Sequence, residues 1–226
     1  MTDLTDLWPL AGLRVVCGDL ELRYLDDPHL VELARLGSEG IHAPETMPFT
    51  GTWTRGTPPE VARSILAYQW SRRSTVAPEK WALELGLVRA GEVLGTQSLM
   101  ADDFPVARTA ETGSWLGQAH QGQGLGTTMR LMILHLLFEG FGGRRALTTA
   151  WADNPASIGV TRRLGYAPNG VDLAAREGVP VESNRYTLDR AAWDARPQTL
   201  RPDVTLVGVD AAREQLGIAS DRPDAS

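Results

Sequence analysis

From Thr112 to Met129 the chain runs for eighteen residues without an Asp, Glu, Lys or Arg, and five of them are glycine: Gly113, Gly117, Gly122, Gly124 and Gly126. This window joins a strand-like run at 111–117 to the clearest amphipathic helix of the sequence, expected over 125–138. In that helix Leu125, Met129, Met132, Ile133, Leu136 and Leu137 fall at helical spacing, with Leu131 and Leu134 widening the stripe. A helix N-terminus exposes unpaired N–H groups that carry partial positive charge. Glycines let an anion approach that backbone, Thr127 and Thr128 add hydroxyl donors, and no carboxylate is there to repel it. The pattern points to a phosphate or pyrophosphate cradle; a tight connection without a ligand is the plainer alternative. It is not a P-loop, because no Lys follows, and GxGxxG fails where Gly122 and Gly124 lead to Thr127.

Around this feature the chain reads as α/β or α+β. Strands are expected at 20–24, 81–88, 93–100, 111–117, 145–151, 166–171 and 184–188, about seven in all. A first helix opens at Asp27-Pro28 with Leu30, Leu33, Ala34 and Ile41 facing inward; a second covers 60–75, led by Pro58-Pro59, with Val61, Ile65, Tyr68 and Gln69 at helical spacing. A short helix at 155–164 has Asn154 as N-cap, Pro155 at its first position and Gly165 at its stop. Beyond Pro197 a strand at 204–209 and a helix at 211–216 are expected, and 220–226 reads as a disordered tail. The segment after Pro197 has two places to pack, its own sheet or a neighbouring subunit in a homodimer or higher oligomer.

With 226 residues and a net charge of −6, the chain is long enough for a sizeable core and has no global basic field to draw in nucleic acid. Cys17 is the only cysteine, so neither an intramolecular disulfide nor a multi-Cys zinc site is expected, and no metal is called for. The densest apolar run, 131–138, is too short to span a membrane and contains His135. The acidic start lacks the features of a signal peptide, so a cytoplasmic setting is expected.

The segment Gln121-Gly122-Gln123-Gly124-Leu125-Gly126 resembles the R/Q-x-x-G-x-G/A pyrophosphate signature of the GNAT superfamily of acyl-CoA-dependent N-acyltransferases. Downstream Asn154-Pro155-Ala156-Ser157 and Leu164-Gly165-Tyr166 follow the layout of the RimJ/RimL-like branch, which acylates protein N-termini and some small amines. The resemblance covers roughly 19–189. It implies a mixed, mostly antiparallel sheet flanked by helices, with a V-shaped splay between the fourth and fifth strands. It also implies one acyltransferase domain over 1–196, an extension at 197–219, and acetyl-CoA or another short acyl-CoA as co-substrate.

By the same resemblance Gln121, Gly122, Gln123, Gly124, Leu125, Gly126 and Thr127 would hold the pyrophosphate, chiefly through the amides of Gln123, Gly124, Gly126 and Thr127. Trp115, Leu116 and Gly117 would bond the pantetheine arm through the main chain, and Asn154 and Ser157 would contact it. Glu111 is the leading candidate base, with His120, Glu177 and water as alternatives. Ser157 would protonate the leaving thiolate, since Thr161 stands where many relatives place a Tyr. Met47, Phe49, Trp53 and Trp70 would wall the acceptor cleft, and Arg162 or Arg163 would meet a CoA phosphate. A dicarboxylic donor such as succinyl-CoA would need a cationic or hydroxyl partner near the thioester, for which the 47–55 loop is a source. The expected activity is acyl transfer to a protein N-terminus or a small amine; the alternative is a catalytically silent acyl-CoA sensor on the same fold.

Overall fold

The structure is a computed structural model that describes residues 2–219; the tail expected to be disordered lies outside them. In chain order the elements are α1 (Leu4–Leu7), β1 (Arg14–Cys17), β2 (Leu20–Arg23), α2 (Asp27–Glu39), α3 (Pro58–Ser74), β3 (Lys80–Arg89), β4 (Glu92–Asp102), α4 (Phe104–Ala107), β5 (Thr109–Leu116), α5 (Leu125–His135), β6 (Arg145–Trp151), α6 (Pro155–Arg163), β7 (Ala167–Arg176), β8 (Val179–Asp189), α7 (Arg190–Asp194), β9 (Thr205–Val207) and α8 (Val209–Gln215). One nine-stranded sheet runs β7-β8-β6-β5-β4-β3-β2-β1-β9. Every neighbouring pair is antiparallel except β5 and β6.

That parallel pair creates the site. Its ladder covers only Thr109↔Arg145, Ala110↔Ala146 and Glu111↔Leu147, after which the two strands part. β4 stays paired with β5 as far as Gly95↔Leu116 and β8 with β6 as far as Ser183↔Trp151, so each side of the opening is braced from outside.

The two sheet faces carry different helices. α5 buries Leu125, Met129, Met132, Ile133 and, through a π-helical turn at Leu136–Gly140, Leu136 and Leu137 against one face. α2 and α3 bury Leu30, Leu33, Ala34, Val61 and Ile65 on the other. Both helices are capped at their starts: Asp26 accepts from the His29 amide, and Thr57 with Glu60 closes a capping box. Ala90 and Gly91 make the β3–β4 turn with φ of 50° and 86°, the pairing a two-residue hairpin turn requires.

The sheet holds two strands beyond the seven expected from the sequence. β1 escaped the reading because only Val15 of its four residues is buried, which gives no alternation to read. β9 is the strand expected after Pro197; it pairs with β1, and α8 buries Ala212 while Leu216 and Ile218 enter the α5-side core. The β7–β8 hairpin outruns expectation because its outer residues are solvent-exposed on both faces, apolar Val171, Leu173 and Val179 included, with no buried face to mark a strand. No helix among the described residues is long and apolar enough to cross a membrane.

Candidate active site

At the mouth of α5 the glycine turn forms a row of free donors. The amides of Gly122, Gln123, Gly124, Leu125 and Gly126 have no hydrogen-bond partner among the described residues. Gly122 and Gly124 hold φ of +74° and +81°, and nothing lies within 4 Å of where a Cβ would stand on either. The backbone is therefore both turned outward and uncovered, the condition for an anion to sit on a helix N-terminus. Two expected donors are corrected. The Thr127 amide closes back on the Gly124 carbonyl at 3.0 Å, which leaves that residue its hydroxyl. Gln121 is engaged as a brace: its Nε2 donates to the Ile41 and Leu116 carbonyls at 2.7 and 2.9 Å.

The cradle opens into the β5/β6 gap, part of a cleft of about 1530 Å³, above the roughly 300–1,000 Å³ of a typical small-molecule pocket. Strand alternation decides which amides face the gap. Gly117 donates to the Leu94 carbonyl at 3.0 Å, and in the same register Trp115 faces Thr96, so both turn their amides to β4. The even residues Ser114 and Leu116 present theirs to the gap, where the ladder with β6 has ended. The main-chain contacts expected from Trp115 and Gly117 therefore move to Ser114 and Leu116.

Glu111, Gly113 and Trp115 project together onto the α2/α3 face. Burial pushes the Glu111 carboxyl above the ordinary carboxylate range, partly offset by the Thr149 hydroxyl. Gly113 leaves a vacancy in a cross-strand row whose other members are Ser98 and Glu84. Glu84 is 7% exposed and accepts from Tyr68 Oη at 2.8 Å and Ser98 Oγ at 2.6 Å. Burial raises its pKa, against the two hydroxyls that lower it. The sequence reading passed over Glu84, although a lone carboxylate inside the apolar strand Lys80–Arg89 was a visible signal.

Aromatic rings wall this side. Phe49 and Trp53 lie 4.8 Å apart between centroids, Trp53 and Trp115 6.1 Å, and Met47 is buried beside them. Trp70 does not join them: it is 52% exposed on the outer side of α3, because Val61, Ile65 and Gln69 take the inward stripe. The loop carrying these rings is tied to the β7–β8 turn. Arg55 donates to both carboxylate oxygens of Glu177 at 2.7 and 3.0 Å. Arg176 binds Asp153 at 2.8 and 2.5 Å and the Met47 carbonyl at 3.0 Å. Glu177 is thereby held as an ion-pair partner, its carboxyl lowered by Arg55. His120 faces Glu92 at 3.7 Å, outside the cleft. Arg55, the cation of the loop, is committed to Glu177 and is not free for a donor carboxylate.

Across the gap Asn154 caps α6 by accepting from the Ser157 amide at 3.1 Å. The Ser157 hydroxyl lines the cleft with no hydrogen-bond partner among the described residues. Thr161 is fully buried and out of reach of the cleft; Arg163 lines it and Arg162 does not.

Residues 19–167 match the family model described as the acetyltransferase (GNAT) domain. The chain belongs to this acetyltransferase family. It is 28% identical over 135 residues to YdaF of Bacillus subtilis (strain 168), spanning 54% of this chain and 71% of that one. It is 35% identical over 66 residues to the ribosomal-protein-serine acetyltransferase of Escherichia coli (strain K12), 29% of this chain and 37% of that protein. Among solved structures, Mycobacterium smegmatis RimJ in complex with CoA-disulfide superposes with a TM-score of 0.65 at 20% identity, covering 92% of this chain and 96% of that chain. At that identity the likeness is one of fold. The GNAT fold explains the sheet: its one parallel pair is the pair that splays.

Proposed function

We propose that this GNAT protein transfers a short acyl group from a coenzyme A thioester to an amine, either a protein N-terminus or a small-molecule amine. The observation that carries the reading is the run of unpartnered amides from Gly122 to Gly126, of which Gly122, Gly124 and Gly126 line the cleft that contains the β5/β6 gap. A diphosphate fits that row, since the amides are donors and nothing lies within 4 Å of where a Cβ would stand on Gly122 or Gly124. The pantetheine arm then lies along the gap, and the thioester carbonyl meets the Ser114 or Leu116 amide, a donor aimed at developing negative charge. The two curated relatives, named as ribosomal and ribosomal-protein-serine acetyltransferases, favour a protein acceptor.

The amine attacks the carbonyl carbon, the C–N bond forms, the C–S bond breaks and the thiolate leaves. An ordinary α-amino group has a pKa of about 8 and needs modest help to lose its proton. Glu111, its basicity raised by burial, faces the acceptor side and supplies that help. The free Ser157 hydroxyl stands on the opposite wall as proton donor to the thiolate, and Asn154 fixes the turn that presents it. The lone Cys17 fits a reducing, cytoplasmic setting.

The test is calorimetry with CoA esters followed by thiol release against a panel of amines and N-terminal peptides. Ester binding with acceptor-dependent thiol release supports the proposal. Tight binding with no release across the panel identifies a silent acyl-CoA sensor instead.

A further inference from the structure

Arg130 lies on α5 with 5% of its surface exposed, on the floor of the gap. Its guanidinium spans the opening: Nη1 donates to Thr148 Oγ1 of β6 and Nη2 to Ser114 Oγ of β5, each at 3.2 Å. Nε is buried without a partner, and among the described residues no carboxylate pairs with this cation. Tyr166 Oη also hydrogen-bonds Arg130 and lies 3.4 Å from Thr112 Oγ1, which completes a surrounding made of neutral hydroxyls. Glu84 and Glu111 project from the opposite face of the sheet.

A buried carboxyl without a counter-ion becomes neutral by taking up a proton. A guanidinium has no such exit, so its burial among neutral groups is unfavourable until an anion arrives. The place where an anion would arrive follows from the strands. The last β5–β6 pair is Glu111↔Leu147, so Ser114 and Thr148 stand close to the closed, inner end of the gap, away from the glycine turn at its mouth. A thioester that enters from the mouth, diphosphate on the glycines, leads with its acyl chain. That chain reaches Arg130 first.

We propose that the acyl donor is a dicarboxylic acyl-CoA, such as the succinyl ester, whose free carboxylate is held by Arg130 with the Ser114 and Thr148 hydroxyls. The inference rests on the coenzyme A reading above and names its acyl class. The reaction balances as any thioester aminolysis: the amine nitrogen bonds the thioester carbonyl, the C–S bond breaks, and an amine proton ends on the thiolate. The distal carboxylate is unchanged. An ammonium acceptor thus leaves as an amide with a negative tail.

The test measures affinity and turnover of succinyl-CoA against butyryl-CoA, which has the same chain length without the carboxylate, and against acetyl-CoA. A charge-assisted hydrogen bond predicts a preference for succinyl of about 10- to 100-fold. Arg130→Met should collapse that ratio at least tenfold, and Arg130→Lys, which keeps the charge without the fork, should restore part of it. Butyryl- or acetyl-CoA bound by the wild type as tightly as succinyl-CoA overturns this inference alone, whatever the variants do. Arg130→Met lowering all three esters by one common factor assigns the residue to holding the strands apart, and overturns it too. If no ester binds, this inference and the coenzyme A reading fall together.

Discussion

Gly124→Glu places a carboxylate at the centre of the free amide row, and its two consequences separate cleanly. On the folding side, a non-glycine residue at the observed φ of +81° meets the left-handed penalty of about 1–2 kcal/mol. A negative charge at a helix N-terminus returns about 0.3–1 kcal/mol. The Cβ itself meets nothing within 4 Å, so the net loss is about 1 kcal/mol, a fall in Tm of about 2–4 °C for a chain of this size. On the binding side, a carboxylate roughly 5 Å from one diphosphate charge repels it by about 3 kcal/mol at an effective dielectric of 20. With a third of that removed by salt, about 2 kcal/mol remains, a rise in Kd of about 30-fold. Calorimetry with CoA reads the affinity and thermal melts read the fold. Gly165→Glu is the control: its φ is +85°, its Cβ also meets nothing within 4 Å, and it lies outside the cleft. It should show the strain without the affinity loss. A folded Gly124→Glu protein that binds CoA as the wild type does refutes the cradle.

Glu111→Gln should lower kcat by about 10²-fold or more and abolish the acidic limb of the kcat/KM profile; because burial raises the Glu111 pKa, that limb should lie above the ordinary carboxylate range, and a limb that persists unchanged in the variant points to another base. Ser157→Ala should slow turnover about 10²-fold with little change in ester affinity, while an equal loss in both would make its hydroxyl a binding group. Burial raises the Glu84 pKa, against the hydroxyls of Ser98 and Tyr68. Its neutral-form stability is complete below the unfolded value of about 4.3 and is lost as pH rises through the folded value. Glu84→Gln does not titrate, so its Tm advantage over the wild type should grow from pH 4 to pH 8; a constant difference would mean that folding leaves the Glu84 pKa unshifted.

The legible parts of this fold are those where burial is periodic. The stripe Leu125, Met129, Met132, Ile133 could be read because one helix face lies on one sheet face, and Asn154, Pro155 and Gly165 because capping chemistry is local. Strand β1 and the outer β7–β8 hairpin could not, since their pairing is settled by neighbours and leaves no alternation. Trp70, expected at the cleft from the family resemblance, lies outside it because the inward stripe Val61, Ile65, Gln69 puts the next residue about 100° away. Which strand-end amide faces the gap depends on register with β4, a long-range fact, and so Ser114 stayed hidden behind Trp115 and Gly117.

Glu84 and Arg130 are a different kind of miss. Each is a single charge in a run whose hydrophobic pattern is strong enough to carry it, so periodicity absorbed both. α5 is buried nearly all round from Met129 to Leu134, which is why Arg130, placed beside the apolar stripe rather than on it, still ends up inside. The two buried ionisable groups cannot pair, because the sheet stands between them. Glu84 meets its environment through two hydroxyl donors, and burial raises its pKa. Arg130 meets only hydroxyls, those of Thr148, Ser114 and Tyr166, leaves its Nε without a partner, and has no way to lose its charge. A fold can leave such a group unmatched when the matching anion belongs to a ligand that comes and goes with each turnover, and the inner end of an open gap is the one place in this sheet where a ligand can reach it.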